Sequence, residues 1–284
     1  MFEMIIKPKK AERHPWEMFF VGLFYASLSF LLVTLFFAKG EILREGSGLL
    51  IVIFTVICCL PFMYYLIKLE EHKDFQINDS GQLIREHSKA IKALMYLFLG
   101  FVVAFSFWYL VMPEQAGSNF NFQLKTFCAI NSPSNYDLCL QEHGVPIGTG
   151  AATSFDSVLG IFVNNVNVLI FTIVLSIALG AGAIFVLVWN ATVISAAIGI
   201  FAQGKISNLP LGLLRYMIHG IPEIAAYFIG ALAGGIISVA VIRRDLHGER
   251  IWKILQDALI LMIIAILILV VAALVEVYLT HKIF

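Results

Sequence analysis

The sequence predicts an all-α, polytopic helical membrane protein with about seven transmembrane helices, one of them broken or short. Three observations predict it. Hydrophobic residues fill 60 % of the 284 positions and charged residues only 13 %, about half the share found in an average soluble protein. Apolar runs of about 20 residues recur along the chain, long enough to cross the hydrocarbon core as helices. None of these runs shows the short, strict alternation of a membrane-barrel strand. The balance of 19 basic and 19 acidic residues speaks against a basic nucleic-acid binder, and so little charge speaks against a soluble or disordered chain.

The runs cover 18–38, 48–67, 91–112, 166–189, 221–242 and 254–280, with a shorter one at 191–203. The first is too long for the apolar region of a secretory signal and has no small-residue cleavage site before Lys39, so it is expected to stay as a helix. The run 191–203 extends only about 20 Å as a helix, too short to span alone. Joined to the semi-apolar 209–218, it forms an expected fifth span broken by the polar 204–208.

Lys and Arg placement orients such a bundle. Lys7, Lys9, Lys10 and Arg13 precede the first run. Lys68, Lys73, Arg85, Lys89 and Lys92 follow the second, and Arg243, Arg244, Arg250 and Lys253 precede the last. Placing these three groups in the cytoplasm puts the N-terminus inside and the C-terminus outside a plasma membrane. The segment 113–165 then faces outward, with Lys125 as its sole basic residue.

The chain divides into an N-terminal three-span unit (1–112), an extracytoplasmic loop (113–155) and a C-terminal four-span unit (156–284). Cys128 and Cys139 lie eleven positions apart in the loop. A disulfide between them suits an oxidising compartment; two free thiols are the alternative.

The candidate polar cluster consists of Asn164, Asn165, Asn190, His219, Glu223 and Glu276. Asn164 and Asn165 open the expected fourth span and Asn190 closes it on the opposite face of the membrane, which sets it apart from the outer group. His219 and Glu223 are four apart with Pro222 between them, at the start of the sixth span. Glu276 lies near the outer end of the last span, where it either snorkels to the interface or pairs with His219 or Arg215 on the same side. Ionisable groups inside membrane segments mark ion, proton or partner sites; helix capping and inter-helix hydrogen bonds are the plainer role. Lys253 and Asp257 read as a solvated face.

Ala226, Gly230, Gly234 and Ser238 repeat every four residues and form one ridge of small side chains. Such ridges let helices approach closely within a bundle, or between two copies in a homodimer. Walker, zinc-protease and nucleophile-elbow signatures are missing from the sequence. One His and one Glu are too few for a metal site. No enzyme activity, metal or cofactor is expected.

FVNNVNVLIF at 162–171, the Trp189-Asn190 pair, and HGIPEIAAYFIGALAGG at 219–235 together resemble the stage II sporulation protein M family, over roughly 155–284. The resemblance implies a polytopic membrane protein. In endospore formers the namesake anchors an engulfment complex with wall-degrading partners, and members also occur in prokaryotes that form no spores, archaea among them. The expected function is a non-enzymatic scaffold that recruits membrane or envelope proteins. The alternative is a transporter or channel for an ion or small solute, using the polar residues around the broken fifth span.

Overall fold

The computed structural model describes residues 5–37, 46–77, 79–131, 136–141, 154–242 and 249–283, all helix or short turn. In chain order the helices are α1 (Pro8–Arg13), α2 (Glu17–Leu32, continued as a π-helical turn Val33–Phe37), α3 (Ser47–Gln76), α4 (Ser80–Val111), α5 (Pro113–Asn119), α6 (Asn121–Asn131), α7 (Tyr136–Gln141), α8 (Ser154–Leu179), α9 (Ala183–Ala202), α10 (Leu209–Ile242) and α11 (Glu249–Leu274, continued as a π-helical turn Val275–Thr280). Seven of them, α2, α3, α4, α8, α9, α10 and α11, are long and apolar enough to cross a membrane.

The count agrees with the sequence reading, but two boundaries do not. The fourth span ends at Leu179, and Gly180, with φ +63°, turns the chain into α9. Trp189 and Asn190 therefore lie inside the fifth span rather than at the end of the fourth. That fifth span, Ala183–Ala202, is unbroken and, at 20 residues, the shortest of the seven. The polar stretch 204–208 is the turn between α9 and α10. Gln203 and Gly204 take positive φ there, and Ile206–Asn208 forms one 3₁₀ turn. Residues 209–218 are the first third of α10, a continuous 34-residue helix that carries Pro222 in its interior, not in a first turn.

The termini of these helices divide into two ends. One, the basic end, holds α1, the α3–α4 connection and the start of α11. The other, the loop end, holds α5–α7, the 204–208 turn and the end of α11. Arg243 and Arg244 lie outside the described residues.

Helices α4, α9 and α10 form the middle of the bundle. Helix α2 packs on α4, while α8 and α11 pack on α10. One contiguous core draws on all seven spans, from Phe30 and Met63 through Phe105 and Leu187 to Tyr227 and Leu269. It runs across the expected boundary at residue 112. Outward faces are also apolar. Leu259, Ile263, Leu267 and Val271 make an exposed stripe on α11, the pattern of a face whose solvent is lipid rather than water. Gly22 and Gly100 let α2 and α4 touch backbone to backbone. A Cβ on Gly22 would fall on the carbonyl oxygen of Leu97, and one on Gly100 would fall on that of Phe19.

Candidate functional site

The expected polar cluster assembles at the loop end from three helices. His219, Glu223 and Tyr227 follow one another at helical spacing on α10, so they share a face. From α8, Asn165 Nδ2 donates to Glu223 Oε1 at 2.7 Å, and Tyr227 Oη donates to Asn165 Oδ1 at 3.1 Å. Both ends of the amide are thus used, which fixes which way it points. Asn164 Nδ2 lies 3.4 Å from Asn165 Oδ1, at the limit of a hydrogen bond. Asn165 and Tyr227 are buried, whereas His219, Glu223 and Glu276 are partly buried.

Glu276 enters from α11 in the π-helical turn Val275–Thr280, a wide turn of the kind often found at functional sites. It is close enough to Glu223 to act on it electrostatically. Thr280, at the end of the same turn, lies 3.4 Å from His219 Nδ1 through Oγ1. The Arg215 guanidinium lies 5.0 Å from the centre of the Phe201 ring.

The small-residue ridge is what allows α8 to come this close. A Cβ on Gly230 would strike the end of Leu169, and one on Gly234 would sit 2.7 Å from Ser176 Cβ and 2.8 Å from the Ile173 carbonyl oxygen. The ridge Ala226, Gly230, Gly234, Ser238 is therefore used inside the bundle, where it sets the distance across which Asn165 reaches Glu223. Asn190 does not join this cluster. It lies within α9, and its Nδ2 bonds the Val186 carbonyl of its own helix at 2.7 Å.

A second polar constellation occupies the basic end, and the sequence reading missed it. Helices α3 and α4 continue past their apolar runs, so charges read as a loop lie on helical faces packed against each other. Lys73 Nζ meets Glu12 Oε1 of α1 at 2.6 Å, Glu70 Oε1 at 2.7 Å and Glu86 Oε2 at 3.8 Å. His87 Nδ1 bonds Glu70 Oε2 at 2.8 Å, and its Nε2 bonds Asp74 Oδ1 at 3.2 Å. Lys253 Nζ donates to the carbonyls of Asp74 and Ile77 at 2.9 and 2.8 Å, capping the end of α3 as a cation should. Lys253 and Asp257 are thus not a solvated face, because Asp257 is only 8 % exposed. Burial, and then the nearby Glu70 carboxyl, push the Glu12 carboxyl up to about 7. The available signal was spacing. Glu70, Lys73 and Asp74 lie at i, i+3 and i+4, which places all three on one side of a helix.

At the loop end Cys128 and Cys139 form a disulfide with their Cα atoms 5.8 Å apart. It joins α6 to α7, and with Phe127 it packs on Ala197 of α9. Gln123 of α6 is fully buried, with its Nε2 3.3 Å from both the Gly48 carbonyl of α3 and Thr192 Oγ1 of α9.

The sequence model described as Stage II sporulation protein M matches residues 90–281, well over half of the chain. The protein belongs to this family. The match begins inside α4, so the family's shared region takes in the third span and the disulfide segment as well as the four later spans. An uncharacterized protein of the archaeon Methanocaldococcus jannaschii is 34 % identical over 132 residues, covering 43 % of this chain and 70 % of that protein. No solved structure matches. Both polar constellations lie at least partly within the family region: Asn165, Glu223, Glu276 and Asp257 fall inside it, whereas Glu70, Lys73, Asp74 and His87 precede it.

Proposed function

We propose that this protein is a non-enzymatic membrane protein that handles a small cation, the proton included, as a transporter or channel. The observation that carries the reading is the packing of the π-helical turn that bears Glu276 against α10, where Asn165 bonds Glu223 at 2.7 Å and His219 lies 3.4 Å from Thr280. Two neighbouring carboxylates repel each other, and a membrane interior screens that repulsion poorly. A bound cation or proton between them relieves it. Glu276 sits on a π-helical turn, whose local geometry can change without unwinding the helix.

The test is cation flux into proteoliposomes, read with a pH-sensitive dye and with sodium and potassium tracers. Flux that disappears in Glu223→Gln supports the reading. Absence of flux across the panel, with the protein shown to be folded, overturns it.

The scaffold reading has its own support, the family membership and the expectation attached to it. Crosslinking that repeatedly captures the same envelope protein would favour it. The same proposal places the basic end in the cytoplasm of a plasma membrane, and a reporter fused after Phe284 that works only in the cytoplasm would refute that orientation.

A further inference from the structure

The basic-end constellation contains an acid that its hydrogen-bond network does not use. Asp74 is 2 % exposed and Asp257 8 % exposed, and the Oδ2 atom of each lacks a hydrogen-bond partner among the described residues. Such an orphaned buried acceptor has lost its hydration without replacement and calls for an explanation. Asp257 and His87 together line a small, partly open cavity between α4 and α11, with Leu83, Ile84, Ile260 and Leu261 as its apolar walls.

The surrounding charges come from four helices. Helix α3 contributes Glu70, Glu71, Lys73 and Asp74, α4 contributes Glu86 and His87, α1 contributes Glu12, and α11 itself contributes Lys253. Among the described residues α8 and α10 bring no charged side chain to this end. Lys73 is engaged by Glu12 and Glu70. His87 bonds carboxylates through both ring nitrogens, an arrangement fully satisfied when both nitrogens carry protons.

We propose that Asp74, His87 and Asp257 form a proton-binding site at the basic end of α11. The proton comes from solvent at that end, forms one O–H bond on an orphaned carboxylate oxygen, and returns to solvent on release. A proton fits better than a metal ion, since no three His, Cys, Asp or Glu side chains among the described residues are arranged to hold one. Protonation removes the charge that a carboxylate in a largely apolar cavity cannot have solvated. The site lies 19 positions before Glu276 on α11, about 28 Å along the helix and close to the thickness of a hydrocarbon core. Helix α11 therefore carries one carboxyl site near each end.

The test is an infrared pH titration of the full chain in nanodiscs, reading the carbonyl stretch of protonated carboxyl groups. A titrating band that is lost in Asp257→Asn and kept in Glu223→Gln supports the site. A spectrum unchanged by Asp257→Asn overturns it, and so does a band that sodium at constant pH removes as effectively as base. Should Asp257→Asn fail to fold, His87→Gln serves instead. It is expected to change the proton affinity read from the same band by about tenfold, and an unmoved midpoint overturns the proposal. Because the Glu223 band is read separately, loss of the loop-end reading leaves this one standing, and the converse also holds.

Discussion

Replacing Gly234 with alanine tests whether the small-residue ridge sets the spacing of α8 and α10. The new Cβ would lie 2.7 Å from Ser176 Cβ and 2.8 Å from the Ile173 carbonyl oxygen. Ordinary contact begins at about 3.5 Å, so α8 must retreat by roughly 0.7 Å. A helix backbone cannot turn aside as a side-chain tip can, and overpacking of this kind costs about 1–3 kcal/mol. Gly230→Ala should cost less, because its Cβ meets the flexible end of Leu169. Gly160→Ala is the control. Among the described residues nothing lies within 4 Å of its Cβ, and alanine is the better helix former by about 1 kcal/mol. The assay is reversible unfolding in bicelles, with the order of stability expected as Gly160→Ala, then Gly230→Ala, then Gly234→Ala. The same retreat lengthens the Asn165–Glu223 bond, so Gly234→Ala should also impair whatever Glu223 does. If Gly234→Ala proves as stable as Gly160→Ala and changes only the oligomeric state, the ridge is a dimer seam and the reasoning fails.

Three further outcomes are expected. Lys73→Met strands Glu12 and Glu70 without their shared cation and should cost about 3–5 kcal/mol in the same unfolding assay, part of which Glu70→Gln in the same chain restores; no recovery would refute the pairing. Reduction of Cys128–Cys139, or Cys139→Ser, should lower stability by about 3 kcal/mol for so short a loop, read as a drop in melting temperature under reductant. Burial holds the Glu12 carboxyl at about 7 against an ordinary 4.5, so the folded state binds a proton that the unfolded state has released between those values. Stability from this group is present below about 4.5 and is lost as pH rises through about 7. Glu12→Gln should flatten that part of the profile, and an unchanged slope would count against it.

The seven spans were legible because hydropathy over about 20 residues reports lipid exposure directly. The turn between the fourth and fifth spans was not, since Gly180, Ala181 and Gly182 are as apolar as the helices they join, and only the glycines hinted at a reversal. The polar residues at 204–208 are legible as a break, but not as the turn between two spans. They do end a helix, but the following 209–218 begins the next span instead of completing the last. In the loop-end site, Asn165, Glu223 and Glu276 could be named from their cost in a membrane, while Tyr227 was hidden among the aromatics that fill such spans. The expected topology sets Asn190 on the opposite face of the membrane from Asn164, and in sequence an amide that bonds its own helix is indistinguishable from one that reaches a neighbour. The basic-end network is not legible in hydropathy because a run of charge ordinarily marks the end of a span. Glu70 and Asp74 lie on turns that continue past the apolar run and find His87 across the α3–α4 connection.

The burial of Gln123 imposes an order of assembly. Its side chain touches Gly48, which precedes it by 75 residues, and Thr192, which follows it by 69. During synthesis α6 therefore emerges with only one wall of its groove in place. Its buried face, Phe127 and the disulfide included, has nowhere to settle until α9 has threaded into the membrane. The covalent tie between α6 and α7 can close earlier, which would hold the segment as a compact unit while it waits for the fifth span.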